Sequence, residues 1–232
     1  MENFDPQMVS ISAGNMIKSM NLAYSGLELR YRTKFLLFWT TQWYGTIGFN
    51  ATRNGTKGIV TNQHVAPEGH LMRDHNNNVV GTSNIAVRNG IVDASFLPFA
   101  DQNVWDNTNA IREAGDNENV DDGYIVSCMP AFEGTRYKSY GATTGSLYGS
   151  VTNAFASINV NYGDEVILFT DIIQTNIPIQ GGDSGGPLVW WHPRSMSKDL
   201  VGINFAGNGT TSYAIKIENI IDALDIDVIA YY

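Results

Sequence analysis

Residues 180–189 read QGGDSGGPLV and place Ser184 between an aspartate and two glycines, with an apolar run after them. A turn uses glycine where the backbone adopts a positive φ, but it has no need of a serine. The stretch therefore predicts one of two things: a glycine-rich turn that leads into a strand, or a turn that presents a serine nucleophile. The choice depends on whether the rest of the chain supplies chemical partners for Ser184.

Candidate partners for Ser184 occur at two places in the first half of the sequence. A serine hydroxyl is a weak nucleophile, so it needs a neutral histidine to take its proton and a carboxylate to orient that histidine. His64 follows the strand-like run GIVTNQ, and Asp93 lies between two apolar runs in NGIVDASFLPF. Asp93 alone fits a strand-end aspartate that bonds nearby backbone. In a set with His64 and Ser184 it is better explained as the orienting carboxylate.

The glycines around Ser184 then have a chemical purpose. A tetrahedral intermediate carries an oxyanion, which needs N–H groups already aimed at it. Glycine lets the backbone turn such groups inward without a side chain in the way. We expect the donors to be the backbone amides of Gly182 and Ser184.

Composition excludes several classes of protein. The 232 residues are 43% hydrophobic and 16% charged, which is typical of a globular domain. A formal net charge of −9 repels phosphate backbones, so nucleic acid is not an expected partner. No apolar run is long enough to span a membrane, so membrane insertion is not expected, and no signal peptide is visible in this chain. The single cysteine, Cys128, is expected to be a small buried hydrophobic residue.

The other histidines give no sign of a metal site. His70 and His75 lie in a polar stretch, and His192 precedes a proline, so all three are expected at the surface. A metal pair at His70 and His75 would lack a convincing third ligand. No metal is therefore predicted.

Short apolar and β-branched runs separated by Gly, Asn and Asp predict many short strands and hence an all-β fold. Turn signals predict three hairpins, with NG at 54–55, YGD at 162–164 and NG at 208–209. The stretch IENIIDAL (217–224) repeats isoleucine and leucine at helical spacing and predicts a C-terminal helix. The polar, acidic stretch 101–122 predicts a linker or crossing loop.

Several of these stretches resemble one enzyme family. GDSGGPLV (182–189) resembles the nucleophile motif of chymotrypsin-like serine proteases, which also share the chain order His, Asp, Ser. GTIGFNATRNGTKGIVTNQHV (45–65), YGATTGSLYGSVT (140–152) and IENIIDALDIDVIAY (217–231) are similar to the small bacterial branch with streptogrisins and α-lytic protease. The run TNQHV also resembles glutamyl endopeptidases.

The resemblance implies two six-stranded antiparallel β-barrels with a C-terminal helix and an active site in the cleft between the barrels. It implies a serine endopeptidase that acts on protein or peptide substrates through an acyl-enzyme intermediate, without a cofactor. His64 would be the general acid and base, Asp93 its orienting carboxylate and Ser184 the nucleophile. The protein is expected to be a monomer that is secreted or extracytoplasmic, with a cytoplasmic location as the open alternative.

The same resemblance divides the chain into three parts. Residues 1–30 are predicted to be an N-terminal extension or arm. Residues 31–115 would form the first barrel, with His64 and Asp93. Residues 116–232 would form the second barrel and its C-terminal helix.

Two departures from the family bear on the site. The chain lacks an activation terminus of the Ile-Val-Gly-Gly type, so Asp183 is expected to find another partner, either a cation or a hydrogen-bond donor. The leading candidates are Arg136 and Lys138. This departure and the unmatched N-terminal arm keep a second interpretation open. In that interpretation the chain is a binding or regulatory module with a protease fold and a catalytically silent or latent site.

The substrate groove is expected to be neutral. The stretch GINFAG resembles the strand that pairs with substrate backbone, and no acidic residue is expected in the pocket, which disfavours a preference for Arg or Lys. A small or medium apolar side chain is the leading prediction, while preference for Glu stays open because Asn204 stands where glutamyl endopeptidases have histidine. The predicted substrate-binding residues are Pro178, Ile179, Asn204, Phe205, Ala206, Gly207 and Thr211.

Overall fold

The computed structural model describes residues 24–35, 38–102, 109–112 and 121–230. The first part of the chain forms strands β1 (Glu28–Phe35), β2 (Phe38–Thr46), β3 (Phe49–Arg53), β4 (Thr56–Thr61), β5 (Leu71–Asp74), β6 (Val79–Thr82), β7 (Ile85–Arg88) and β8 (Asp93–Pro98). Further on lie β9 (Ala110–Arg112), β10 (Asp121–Cys128), β11 (Arg136–Gly141), β12 (Gly145–Asn161), β13 (Val166–Thr175), β14 (Pro187–Trp191), β15 (Ser197–Gly207) and β16 (Ser212–Lys216). Helix α1 (Ile217–Leu224) and the short strand β17 (Asp227–Val228) follow. The all-β class with a C-terminal helix is confirmed.

The second half of the chain closes into a ring of six strands. β11 pairs with β12, β12 with β13, β13 with β16, β16 with β15, and β15 with β14, which returns to β11. Every pairing in the ring is antiparallel, as predicted for the second barrel. Its apolar interior includes Tyr137, Ile173, Leu188 and Val201. Outside the ring, β10 pairs in parallel with β15 and carries β9 on its other edge.

The first half pairs as two sheets rather than as one ring of six strands. One sheet has the order β2-β1-β5-β6, and the other has the order β17-β3-β4-β8-β7. A bridge between Gly81 and Phe99 connects them. Leu29 and Met72 from the first sheet pack with Ile59 and Leu97 from the second in one buried core. The two sheets therefore face each other, and their inner side chains form one shared core.

The three predicted hairpins are present, and they join β3 to β4, β12 to β13 and β15 to β16. At the first of them, Asn54 and Gly55 both have a positive φ, of 50° and 75°. Such a two-residue turn matches the right-handed twist of the strands that it connects. The hairpin between β12 and β13 is long, and its turn extends to the region of the candidate site.

Helix α1 covers the stretch that the periodicity indicates. Ile217, Ile220 and Leu224 are buried on one face, which packs against β15 and β16 of the second half and against β7 and β8 of the first. The helix ends at Asp225, which adopts a left-handed φ of 52° and donates its amide to the Ile221 carbonyl. The helix thus contacts both halves of the molecule.

Some predicted boundaries differ from the observed elements. β1 begins at Glu28 and crosses the limit predicted at residue 30, while residues 1–23 of the predicted arm lie outside the described residues. The predicted crossing loop 101–122 contains β9. The sequence did not predict this strand, because three residues in a polar stretch are too few to show the alternation typical of a strand. Near the end of the chain, β17 pairs with β3 and so belongs to the sheet of the first half.

Two observations concern the surface of the described part of the chain. None of its helices is long and apolar enough to cross a membrane. The prediction that Cys128 is buried is wrong, since the residue is exposed at the end of β10. Its thiol lies beside Met129 and Ile217, and desolvation by neighbouring atoms, with smaller contributions from Asp199 and Glu218, raises the pKa of Cys128 to about 11.

Candidate functional site

A cleft of about 540 Å³ brings residues from both halves together. His64, which follows β4 in the first half, lines this cleft with Ser184, which precedes β14 in the second half. The structure therefore brings these two candidate residues into one cleft. The cleft is also lined by Val160, Asn161, Tyr162, Ile179, Gln180, Gly181, Phe205, Ala206, Gly207, Asn208 and Gly209.

Asp93 fixes the position of His64 through side chain and backbone at once. The Asp93 side chain is fully buried at the start of β8, and its Oδ2 accepts a hydrogen bond from His64 Nδ1 at 2.6 Å. Its Oδ1 accepts the backbone amides of Gln63 and His64 at 2.7 and 3.2 Å. An ionised carboxylate only accepts hydrogen bonds, so the proton of the neutral imidazole lies on Nδ1 and Nε2 keeps its lone pair. His64 is therefore held as the tautomer that can act as a base at Nε2.

Asp93 remains ionised although it is buried. Burial by itself raises the pKa of this carboxyl group, because it disfavours the charged form. The charge of His64 and the hydrogen bonds from His64 and Tyr162 act in the other direction, and together they hold the pKa of Asp93 below its usual value. The carboxylate form is thus the one that faces the imidazole.

Sequence reasoning missed Tyr162, which follows β12 at the turn of the long hairpin. Its hydroxyl donates to Asp93 Oδ2 at 2.7 Å, and its ring centroid lies 5.6 Å from that of His64. The sequence identified Tyr162 only as a turn residue, because 69 positions separate it from Asp93. The one available signal was that a buried carboxylate needs more donors than a single histidine supplies.

Hydrogen bonds to the Gly181 and Asp183 carbonyls orient the backbone amides of Gly182 and Ser184. The Gly181 carbonyl accepts the Thr143 hydroxyl at 2.8 Å, and the Asp183 carbonyl accepts the Gly186 amide at 3.0 Å. In a trans peptide the N–H points opposite to the C=O, so the amides of Gly182 and Ser184 point away from those partners. That these two amides form an anion-binding pair stays a prediction.

Gly182 cannot be replaced without disturbing this backbone. Its φ is +98°, which side chains other than glycine rarely adopt. A Cβ at this position would overlap the Tyr44 ring and the Thr143 hydroxyl. The Gly182 carbonyl is also held, since it accepts the Thr46 hydroxyl at 2.8 Å.

Asp183 is satisfied without a cation, so the prediction that it pairs with Arg136 or Lys138 is wrong. The side chain is fully buried, and its oxygens accept the backbone amides of Thr143 (2.9 Å), Thr144 (3.0 Å) and Gln180 (2.8 Å) and the Thr144 hydroxyl (2.8 Å). Lys138 instead binds Asp122, and Arg136 lies over the Tyr148 ring. Hydrogen-bond donors replace a counter-ion here and join the TTG segment to the turn before Ser184.

Replacing Asp183 with asparagine is expected to lower the free energy of unfolding by about 2 kcal/mol. The new NH2 group would face at least one N–H donor in a buried position, where neither group could find a partner. Denaturant unfolding at neutral pH measures the effect. The matched control is Asp222→Asn on the exposed side of α1, which should change stability by no more than about 0.5 kcal/mol. Equal unfolding midpoints for the two variants would contradict the account of Asp183.

The predicted substrate-binding residues divide into two groups. Ile179, Phe205, Ala206 and Gly207 line the cleft. The other three, Pro178, Asn204 and Thr211, are not among its lining residues.

Each of these three residues has a different place beside or behind the cleft. Asn204 is fully buried, and its side-chain amide donates to the Ser139 hydroxyl at 2.7 Å and to the Gly186 carbonyl at 3.1 Å. Thr211 belongs to the turn between β15 and β16, where its amide donates to Asn208 Oδ1 at 2.9 Å. Pro178 is exposed beside the cleft.

Comparison with known proteins agrees with this architecture. No protein-family model matches the chain. Streptogrisin-A of Streptomyces griseus is 32% identical over 145 residues, which cover 62% of this chain and 43% of streptogrisin-A, less than half of that relative's length. Thermobifida fusca protease A has a TM-score of 0.69 at 16% identity, covering 90% of this chain and 99% of that one. Cellulomonas bogoriensis chymotrypsin has a TM-score of 0.65 at 20% identity, with coverage of 90% and 99%. The chain thus has the fold of the bacterial chymotrypsin-like serine proteases.

Proposed function

We propose that this chain is a serine endopeptidase that cleaves protein or peptide substrates through an acyl-enzyme intermediate. One observation carries the proposal. A buried carboxylate, Asp93, holds His64 by Nδ1 at 2.6 Å, and His64 and Ser184 line the same cleft. The similarity to streptogrisin-A, a relative of greater length, supports the same reaction.

In the proposed acylation step, Ser184 Oγ attacks the carbonyl carbon of the scissile peptide and passes its proton to His64 Nε2. Asp93 stabilises the imidazolium that forms, because its carboxylate already accepts the Nδ1 proton. The amides of Gly182 and Ser184 would bind the oxyanion of the tetrahedral intermediate. His64 then gives its proton to the departing amine as the C–N bond breaks.

Deacylation repeats the same proton transfers with water. His64 Nε2 takes a proton from the water that attacks the acyl carbon, and the proton is returned to Ser184 Oγ as the ester bond breaks. Water is consumed as the co-reactant, and His64 and Ser184 return to their starting protonation states.

An open strand edge is available for the substrate backbone. The pairing between β14 and β15 ends at Pro187 and Ile203. Beyond this pair, the backbone of Asn204 exchanges hydrogen bonds with Gly185 and Gly186. Residues 205–207 continue along the cleft, and Ala206 and Gly207 pair on their other side with β16. An extended peptide can add to such an edge as a further strand. The neighbouring side chains of Ile179, Phe205 and Ala206 are uncharged, which favours a neutral side chain before the scissile bond.

A peptide library tests the proposal. The full chain is incubated with peptides of mixed sequence at neutral to mildly alkaline pH, and new termini are read by mass spectrometry. We expect internal cleavage after small or medium uncharged residues. If peptides bind the chain but none is cleaved, the proposal is wrong and the binding-module interpretation is supported.

A further inference from the structure

We propose that Tyr162 is a positioning residue, which the β12–β13 hairpin brings across the cleft to hold the His64–Asp93 pair. The inference rests on the proposed function for its kinetic consequences. Its structural basis is independent of that function, because it depends only on contacts among described residues. Neither the nucleophile motif nor the turn signal at 162–164 assigns this role.

Tyr162 completes the hydrogen bonding of Asp93. A carboxylate offers about four lone-pair sites. The backbone amides of Gln63 and His64 occupy Oδ1, whereas His64 Nδ1 and the Tyr162 hydroxyl share Oδ2 at 2.6 and 2.7 Å. Without the hydroxyl, Oδ2 would have the imidazole as its single side-chain donor. The hydroxyl therefore restricts rotation of the Asp93 carboxylate, whose Oδ2 orients the His64 imidazole.

Other contacts hold the hairpin on the strands that carry Asp93. Arg88 in β7 lies directly opposite Asp93 in the β7–β8 ladder. Its guanidinium lies 4.3 Å from the Tyr162 ring centroid and forms an ion pair with Glu165 at 2.6 Å. The Thr170 amide of β13 donates to the Gly90 carbonyl at 2.8 Å. A hairpin from the second half is thus bound to the strand pair of the first half that supplies the carboxylate.

The hydroxyl stays a donor throughout the working pH range. Burial, together with the charge of Asp93 and the hydrogen bond to it, raises the pKa of Tyr162 well above its ordinary value, against a smaller opposing effect of Arg88. The charged and titratable groups around the pair are His64, Arg88 and Glu165. Loss of the hydroxyl would leave Asp93 with less stabilisation of its charge, so the pair would hold a proton more tightly.

The test compares Tyr162→Phe, which removes only the hydroxyl, with the control Tyr148→Phe on β12 away from the cleft. We expect Tyr162→Phe to lower kcat about tenfold with KM within about twofold. The acid limb of its kcat/KM profile should move to higher pH by about half a unit. The control should match the wild type in all three measurements. An unchanged kcat and acid limb would overturn the proposal, and so would a rise in KM alone, which would indicate only a wall of the cleft.

A second measurement does not depend on activity. The ring resonances of His64 are followed by NMR from acid to alkaline pH in the full chain and in Tyr162→Phe. The proposal requires the titration midpoint of the variant to lie at higher pH, and it is overturned if the two midpoints coincide while the variant is folded. If the wild type hydrolyses no peptide but the midpoint moves, the proposed function fails and the Tyr162 contact stands.

Discussion

Replacing Ser184 with alanine is expected to lower kcat/KM for peptide hydrolysis by roughly 10⁴- to 10⁶-fold. The hydroxyl forms the covalent bond to the acyl group, and no neighbouring group can take its place. The proposed oxyanion donors and the proposed substrate edge at 205–207 remain, so peptide binding should change little. Initial rates on one cleaved peptide, with a separate binding measurement, check both expectations.

Ser150→Ala on β12 serves as the control, because it removes a hydroxyl from the same half of the chain outside the cleft lining. This variant should retain wild-type kcat/KM. If Ser184→Ala keeps more than about one per cent of wild-type activity, a different group performs the chemistry and the assignment of Ser184 as the nucleophile is wrong.

Replacing Asp93 with asparagine should lower kcat by about 10⁴-fold, with little change in fold. The backbone amides of Gln63 and His64 would select the side-chain carbonyl oxygen at the Oδ1 position. The new NH2 group would then occupy the Oδ2 position and face His64 Nδ1. A donor at that place requires Nδ1 to be an acceptor, so the imidazole proton moves to Nε2 and the base toward Ser184 is lost.

The measurement is kcat across the pH range, with Asp222→Asn on α1 as a control that removes a carboxylate elsewhere. We expect the control to equal the wild type. A kcat for Asp93→Asn within tenfold of the wild-type value would contradict the orienting role of Asp93.

Much of the site could be predicted because its signals are local. The stretch at 180–189 contains the proposed nucleophile and the glycines that its turn requires. His64 stands at the end of a strand-like run, and Asp93 lies between two apolar runs. The Asn-Gly turn at 54–55 and the isoleucine spacing in α1 likewise depend on neighbouring residues alone. The local preferences of these stretches agree with the tertiary structure, so the elements that they predict are present in the folded chain.

What the sequence did not reveal depends on contacts between distant segments. Asp183 is held by backbone amides of Thr143, Thr144 and Gln180, and an amide donor carries no residue identity that a sequence could display. Tyr162 reaches Asp93 only because a long hairpin crosses to the other half. Asn204 directs its side chain to Ser139 behind the cleft, whereas the next residue, Phe205, lines it.

The account as a whole depends on Ser184 being an activated nucleophile. Reaction of the folded full chain with a fluorophosphonate probe at neutral pH, read by intact mass and by peptide mapping, tests this most directly. The account predicts one adduct per chain, located on Ser184, and none on Ser184→Ala. It also predicts much slower labelling of His64→Ala, because the proton acceptor is gone. A folded wild type that stays unlabelled, or equal labelling of Ser184→Ala, would contradict it.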